Sequence, residues 1–428
     1  MVKNFADLFQ TRGDSGSRHA STYIKGLLGR MPGKNMERMA DVIPEANQQD
    51  LQQFVSDSPW DDGPVWDRIA ARANARLGNH RDSMLVIDES AFAKQGKASA
   101  GVARQHNGRL GKTDNCQVGV FSTLVRGCEA TMIGARLFLP DEWTRDPGRC
   151  ERAGIPKEAV IARTKIEQAC ELIDQARAQQ VQFRLVAFDS FYGRDQGLLQ
   201  HIADQDIIFV ADIPIDTLVW TARPAGEKRP SNLGKSGARR ADEIKQSKPV
   251  DIQLRTGENG DVIVQAAARR VWIWPGKAKA PLACWLLVTL QTDGTEKFTL
   301  SNAPEGTRLA TLVRWQGQRF FIEQTFKTAK SHCGMADYQV RKYRGWQHHM
   351  ALVGLGLLFL LEEKQSSSAN MPMLSACDIS EIIDWHFCTQ PSHEAVIETI
   401  LRRHQRRAKA AESKKRVQRK RRRNYVTK

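Results

Sequence analysis

The chain has 428 residues, which is long for one compact core and predicts two or three domains. Its net charge is +16, and thirteen of these charges lie in residues 402–428, where fourteen Lys and Arg residues face the single acid Glu412. Such a tail has too few apolar residues to build a core. We expect it to lack a fixed fold until it meets a polyanion, although a purely solubilising tail would have the same composition.

The cysteines and the apolar runs exclude several other classes of protein. The eight cysteines are scattered without a C-x2-C pair, which argues against a structural zinc site or a disulfide framework. The N-terminus has no apolar signal core, and the longest apolar run, at 350–361, is too short to span a bilayer. We therefore expect a reduced, cytoplasmic protein without membrane association, and a buried helix at 350–361.

Residues 1–80 alternate helix-period segments with Pro, Gly and Asp breaks, which predicts a small helical domain. After residue 80 the spacing of apolar residues changes from a helical period to that of strands alternating with helices. In 81–213 we predict a strand ending at Asp88, a hairpin across Arg126 and Gly127, a helix at 157–180, a strand ending at Asp189, a helix and a final strand. Three strands, helix, strand, helix, strand is the order of a ribonuclease-H-like domain, an α/β fold.

The rest of the chain divides into four further segments. Residues 214–305 contain alternating apolar runs typical of a β-rich insertion, and 306–363 would complete the α/β core. A polar linker followed by a helical segment occupies 364–401, before the basic tail at 402–428.

Three acids are candidates for a metal site. Asp88 and Asp189 end strand-like runs, and Glu323 lies on a predicted helix where Arg319 and Lys330, four residues before and seven after, share its face. Carboxylates are suited to Mg²⁺, and two ions can support phosphoryl transfer, with Asp88 as the bridging ligand. A strand-end aspartate that caps a turn is the structural alternative, and Asp212, at the end of its own strand, is the main competitor for Asp189.

The motifs that surround these acids resemble a known family. LVIDES, GVARQHNGRLGKTDNCQVGV, VAFDSFYG and R-x3-E-x6-K are similar to segments of the DDE transposases of bacterial insertion sequences that carry a Tyr-Arg-Glu-Lys signature. YIKGLLGRMPGKNMERMA with SPWDDGPVWDRI resembles the branch called insertion sequence family 701. The likeness runs from about residue 20 to about residue 360.

The resemblance implies a DNA transposase with a helical N-terminal DNA-binding domain, a ribonuclease-H-like catalytic core with its insertion, and a helical C-terminal segment. It implies metal-dependent cleavage at the ends of a mobile element and strand transfer, with Asp88, Asp189 and Glu323 as catalytic and metal-binding residues. Two Mg²⁺ ions would be the cofactor, with Mn²⁺ as a substitute. The partners would be double-stranded DNA, both terminal inverted repeats and target, and further copies of the chain in a dimer or higher oligomer on the nucleoid.

Several residues are candidates for contacts with this DNA. Arg319 and Lys330 are suited to hold phosphates beside the scissile bond, whereas an i,i+4 ion pair between Arg319 and Glu323 on a solvated face is the alternative. The tyrosine of the family signature is replaced by Gln316, with Trp315 beside it. Trp315 is therefore a candidate for the DNA contact of that tyrosine.

Two further elements could contact DNA. PLACWLLVT resembles a segment whose tryptophan stacks on a flipped base, the position of Trp285, although a strand tryptophan also packs inside a sheet. Trp272 and Trp274 are the runners-up. The glycine-rich loop after Asp88 carries basic residues that could attract phosphates, or could form a basic hairpin without a specific role: Lys97, Arg104, Arg109 and Lys112.

Two other functions fit the same motifs. A domesticated protein would use this surface to bind DNA without cleavage, and intact acids in the expected order disfavour it. A ribonuclease-H-like nuclease or resolvase would cleave without joining strands.

Overall fold

The computed structural model describes residues 2–10, 16–108, 110–226, 228–232, 236–257, 260–275, 280–291, 294–367, 369–371, 374–388 and 392–426. The described residues among the first 80 are mainly helical, as predicted: a 3-10 helix at Val2–Phe9 precedes α1 (Gly16–Leu28), α2 (Met36–Val42), α3 (Gln48–Ser56) and α4 (Asp62–Leu77). The polar breaks act as N-caps. The side chains of Asn35, Asn47 and Asp61 accept backbone N–H bonds at the starts of α2, α3 and α4.

The next segment holds the first strands of a large sheet and the helices that connect them. These are β1 (Met84–Ala93), β2 (Ala103–Asn107), β3 (Lys112–Arg126), β4 (Glu129–Leu137), α5 (Asp141–Thr144), α6 (Pro147–Arg152), α7 (Lys165–Ala178), β5 (Leu185–Phe188), α8 (Ser190–Gly193), α9 (Gln196–Ala203) and β6 (Ile208–Ile213). The helix predicted at 157–180 begins only at Lys165, where Thr164 and Glu167 form a capping box. The predicted hairpin across Gly127, at φ +64°, is present.

The segment 214–305 is rich in strands, as predicted. It contains the two-residue strands β7 (Leu218–Val219) and β8 (Arg239–Arg240), then β9 (Val250–Gly257), β10 (Gly260–Ile273), β11 (Leu282–Leu290) and β12 (Glu296–Ser301). The remaining elements are α10 (Leu309–Gln318), α11 (Phe320–His332), α12 (Tyr343–Ser367), α13 (Ala376–Phe387) and α14 (His393–Val426).

The main sheet is mixed, with strand order β2-β3-β1-β5-β6-β12-β11-β10-β9, and β4 also pairs with β3. β1, β5 and β6 are mutually parallel, whereas β3 and β4 are antiparallel to their neighbours. The order β4-β3-β1-β5-β6 is compatible with a ribonuclease-H-like core. The inserted strands extend this same sheet, because β12 pairs with β6 and places Thr299 opposite Asp212.

Helix α12 lies in the core, as the apolar run at 350–361 predicted. Nearly all of its residues from Gly345 to Leu361 are buried, and it packs against α4 and β4. Gly354 allows a close approach, since a Cβ there would lie 2.6 Å from the indole of Trp66. Among the described residues, the structure contains no helix with the length and apolarity that crossing a membrane requires.

His348 on α12 joins this core to the N-terminal helices. Its Nδ1 lies 2.9 Å from the carbonyl oxygen of Val55 and its Nε2 lies 2.8 Å from that of Trp60, whose ring stacks on the imidazole at 3.6 Å. Burial lowers the pKa of His348 to about 4, although the two carbonyl groups favour the protonated ring. Burial also lowers the pKa of the adjacent His349 to about 3.

We predict that acid destabilises this core. Both histidines have a folded-state pKa below the unfolded value, so the unfolded chain binds more protons, and stability is lost as the pH falls from about 6.5 toward 4. The slope is about 1.4 kcal/mol per pH unit for each histidine. His348→Gln should lower the melting temperature at pH 7 and flatten its decline between pH 6.5 and 4.5. An equally steep decline in the variant would contradict this origin.

Candidate active site

Asp88 and Asp189 lie side by side. The parallel pairing of β1 with β5 ends at Val86 opposite Ala187, and each aspartate lies two residues further along its chain. Because neighbouring strands are about 4.8 Å apart, the two carboxyl groups lie close together at the same height along β1 and β5. Contrary to the prediction, β1 does not end at Asp88: it continues to Ala93, because its antiparallel pairing with β3 extends beyond β5.

Backbone groups hold both carboxylates. Oδ1 of Asp189 accepts hydrogen bonds from the N–H groups of Phe191 and Tyr192, at 3.0 and 3.3 Å, and so caps α8. Oδ1 of Asp88 accepts a bond of 2.7 Å from the N–H of Glu89. The capping role that was the structural alternative for Asp189 is therefore present, and it leaves Oδ2 for another partner.

The electrostatics of this pair favour a cation. Burial and the negative charge of Asp189 together raise the pKa of Asp88 to about 7. Two partly buried carboxylates are suited to bind a hard divalent ion, and such an ion would offset their repulsion. The aspartates fit a divalent metal in this respect, although the described residues contain no group of three His, Cys, Asp or Glu side chains arranged to hold one.

Glu323 does not join the aspartates in this conformation. The predicted continuous helix is divided at Arg319, where α10 ends and α11 begins. Nη2 of Arg319 lies 3.2 Å from Oε1 of Glu323, so the i,i+4 ion pair that was the alternative is formed. Its face is only partly solvated, because the Arg319 side chain is 14% exposed and that of Glu323 is 50% exposed.

Arg319 interacts with four carboxylates. Burial would lower the pKa of its guanidinium, but the charges of Asp212, Glu323, Asp88 and Asp189 raise it. The guanidinium contacts Asp212 and Glu323 directly and is close enough to the aspartate pair for their charges to act on it. Lys330, at the far end of α11, is partly buried, with Nζ 5.8 Å from the ring centre of Phe92.

Asp212 is committed to other partners. Its Oδ2 lies 2.8 Å from Nε of Arg319 and 2.8 Å from Nζ of Lys297, and its Oδ1 accepts a bond of 2.7 Å from the hydroxyl of Thr299. These contacts make it a poor competitor for Asp189 as a metal ligand.

Three residues next to the aspartates have roles that the motifs did not indicate. Glu89 forms an ion pair of 2.7 Å with Lys165 and lies 3.4 Å from the hydroxyl of Tyr192. Burial and the charge of Glu89 raise the pKa of Tyr192 well above its usual value, so its hydroxyl stays protonated and donates. The tyrosine lies in the DSFYG motif, whereas no local signal marked Lys165 as the partner of an acid 76 residues earlier.

The predicted aromatic contacts differ in accessibility. Trp315 is 7% exposed and donates its indole N–H to Oδ1 of Asp82 at 3.0 Å, so its ring is not available to DNA in this conformation. Trp285 is partly buried on β11, donates to the carbonyl of Pro304 and lies 5.1 Å below the guanidinium of Arg270. Trp274 is fully buried, and Trp272 is partly buried.

The basic loop after Asp88 forms the hairpin of β2 and β3. Arg104 and Lys112 are both exposed. Arg104 pairs with Asn115 and Lys112 with Asn107, so the alternation of side chains places the two cations on opposite faces of the hairpin rather than in one cradle. Lys97 is exposed in the preceding loop, and Arg109 lies outside the described residues.

The basic tail is part of α14, which is a correction to the expected absence of a fixed fold. Lys, Arg, Ala and Glu all favour helix, and this local preference suffices without a core. Side chains of α14 that the structure describes are exposed. Arg406 contacts Gln48 at 2.8 Å and Glu37 at 3.5 Å, so the helix passes α2 and α3.

Comparison with known proteins gives one family and two individual similarities. The profile described as "DDE superfamily endonuclease" matches residues 7–272, which include Asp88 and Asp189 and end before Glu323. A protein of Microchaete diplosiphon, described as a probable transposase for insertion sequence element IS701, is 30% identical over 185 residues. That match covers 42% of this chain and 44% of the relative, so the chain matches less than half of the relative's length.

Among solved structures, the NurA nuclease from Sulfolobus solfataricus is similar with a TM-score of 0.27 and 8% identity, over 68% of this chain and 91% of that one. A TM-score this low supports no conclusion about fold or function.

We predict that Asp88→Asn stabilises the protein when no divalent metal is present. The substitution keeps the shape of the side chain and removes a partly buried negative charge beside Asp189, so the free energy of unfolding should rise by about 1–2 kcal/mol at pH 8 in the presence of a chelator. Denaturant titration measures the change. Equal or lower stability of the variant would show that repulsion between Asp88 and Asp189 does not destabilise the protein.

Proposed function

Because the chain belongs to the DDE superfamily endonuclease family, we propose that it is a DNA transposase. It cleaves DNA at the ends of a mobile element and joins the freed 3′ ends to target DNA, using a ribonuclease-H-like core. The resemblance to DDE transposases and to family 701, drawn from the motifs, is confirmed by the family match and by the IS701 relative. The activity of the whole chain is our proposal.

The observation that carries this proposal is the convergence of charges at one end of the parallel strands. Asp88 and Asp189 each lie two residues beyond the last residue pair of β1 and β5, and Arg319 contacts Glu323 and is acted on by the charges of both aspartates. The two aspartates repel each other and are suited to bind metal ions, and the nearby Arg319 is suited to bind a phosphate. Hydrolysis and strand transfer at phosphorus require metal ions and a bound phosphate.

DDE nucleases generally use divalent metal ions, and we propose two Mg²⁺ ions, with Mn²⁺ as a substitute. Asp88 and Asp189 would hold them together with Glu323. When bound, such ions activate the attacking oxygen and stabilise the departing one. The half-exposed side chain of Glu323 is free to leave its 3.2 Å ion pair and turn toward the aspartates. Lys165 and Tyr192 keep Glu89 engaged on the other side of β1.

Arg319 is suited to bind a phosphate of the cleaved strand. Its Nε is buried and has no hydrogen-bond partner among the described residues, although it lies 2.8 Å from Asp212, because the N–H is not directed at that carboxylate. A buried donor without an acceptor is costly, and an incoming phosphate oxygen would satisfy it. Lys330, Arg104 and Lys112 would hold the flanking backbone.

Trp285 remains our candidate for stacking on a base displaced beside the cleavage site. Its partial burial leaves part of the ring accessible, and Arg270 on the opposite strand supplies a cation next to it. We do not assign Trp315 to DNA, because its ring is buried against Asp82.

The proposed partners are terminal inverted repeats and target DNA, with the N-terminal helices binding the element ends. Two ends must be brought together, so we propose a homodimer or higher oligomer on paired ends, at the nucleoid of the cytoplasm.

We predict that Asp88→Asn, Asp189→Asn and Glu323→Gln each abolish metal-dependent cleavage of an end substrate and leave end binding nearly unchanged. Each substitution removes one charge from the metal site and keeps the side-chain shape. Asp141→Asn, which removes an exposed acid paired with Arg145, is the matched control and should cleave normally. Cleavage and binding are measured on the same labelled duplex by gel electrophoresis.

Robust cleavage by one of these variants would remove that residue from the site. The other two functions have distinct outcomes in the same assay. Binding without cleavage by the unaltered chain indicates a domesticated DNA-binding protein, whereas cleavage without joined products indicates a nuclease.

We also predict that deleting residues 402–428 weakens binding to all DNA sequences and reduces its salt dependence. Each phosphate contact that is lost lowers the slope of log affinity against log salt by about 0.9. Preference for the element ends should survive. A matched variant keeps the length of the tail and replaces its Lys and Arg by Gln. An unchanged salt slope in both variants would show that the tail does not bind DNA.

A further inference from the structure

We infer that Asp212 is a positioning residue for the cleavage reaction, which it serves by fixing the Arg319 guanidinium next to Glu323 and close to the aspartate pair. This inference rests on the proposed function. It goes beyond that function by assigning a role to an acid outside the set of Asp88, Asp189 and Glu323.

The first observation is the burial of Asp212 among charged partners from different elements. It lies on β6 and is 5% exposed. Arg319 reaches it from the junction of α10 and α11, and Lys297 reaches it from β12. Both cations hold this buried carboxylate in place, and removal of its charge would leave Arg319 without its nearest anion.

The second observation is a chain of hydrogen bonds that ends on Asp212. Gln291 donates to the hydroxyl of Thr289, which donates to Oε1 of Gln316 at 3.1 Å. Nε2 of Gln316 donates to Thr299 at 2.6 Å, and Thr299 donates to Oδ1 of Asp212. Every bond runs in the same direction.

This series of hydrogen bonds fixes the orientation of the Asp212 carboxylate and runs across strands of the insertion. Thr289 on β11, Thr299 on β12 and Gln316 on α10 are all buried. Because Oδ1 is occupied by Thr299, Oδ2 is the oxygen that faces Arg319 and Lys297. Gln316 occupies the position of the signature tyrosine. Its amide accepts a hydrogen bond from Thr289 and donates one to Thr299, so its role here is structural.

The third observation is the kind of contact that Arg319 makes. Its Nε lies 2.8 Å from Oδ2 of Asp212 without a directed hydrogen bond. Asp212 thus holds the guanidinium by charge and leaves its Nε–H for a phosphate. Without this anion, Arg319 would be drawn toward Glu323, Asp88 and Asp189, whose charges also act on it. It would then compete with the metal ions.

The test is a double-substitution cycle on cleavage of the end substrate by the full chain. Asp212→Asn preserves the acceptor for Thr299 and removes the charge. We expect it to lower the cleavage rate at saturating DNA on the order of 10- to 100-fold, with little change in the DNA concentration at half-saturation. In an Arg319→Gln background the same substitution should have little further effect, because Asp212 acts through Arg319. Asp212→Glu should restore part of the rate.

Glu362→Gln is the matched control. Glu362 is also a nearly buried carboxylate, 10% exposed, and it pairs with Arg72 through two contacts of 2.9 and 2.8 Å. Its loss should lower the melting temperature without lowering the cleavage rate of the folded protein. The melting temperature of every variant is measured, so that a loss of folding is distinguished from a loss of rate.

The outcomes separate the inference from the function on which it rests. If the unaltered chain cleaves and the effects of Asp212→Asn and Arg319→Gln multiply, Asp212 acts independently and the inference is wrong. If Asp212→Asn cleaves at the normal rate, it is also wrong. If the unaltered chain does not cleave at all, the proposed function fails first, and the inference falls with it.

Discussion

The organisation of the site depends on the electrostatic interactions between Arg319 and the carboxylates around it. Four carboxylates act on it: Asp88 and Asp189 from the end of the parallel strands, Asp212 from β6, and Glu323 from the next turn of α11. Buried like charges repel one another, at about 4 kcal/mol for a pair at 4 Å with an effective dielectric constant of 20. The guanidinium of Arg319, with a side chain that is 14% exposed, offsets part of this repulsion.

This constraint also explains why the insertion is continuous with the core sheet. Asp212 can neutralise Arg319 only if the carboxylate is held rigidly, and its supports, Thr299 and Lys297, lie on β12. The pairing of β12 with β6 aligns Thr299 with Asp212. The segment between the second aspartate and Glu323 thus contributes to the site through its strands, in addition to any contact of Trp285 with DNA.

The sequence sufficed where the signal was local. The strand runs, the hairpin at Gly127, the helical N-terminal segments and the apolar helix α12 were all predicted from patterns within about 20 residues. Sequence patterns did not predict contacts in which the second residue is distant along the chain. Nothing near Trp315 shows that Asp82, 233 residues earlier, accepts its indole N–H. The break at Arg319 is equally hidden, because its backbone keeps a helical conformation and only its distant partner Asp212 marks the residue as special.

The half-exposed position of Glu323 follows from the same electrostatics. A third carboxylate beside Asp88 and Asp189 would add repulsion to a pair in which the pKa of Asp88 is already raised to about 7 by burial and by Asp189. Glu323 gains more from Arg319, whose Nη2 lies 3.2 Å from its Oε1. This ion pair therefore accounts for the half-exposed position of the Glu323 side chain.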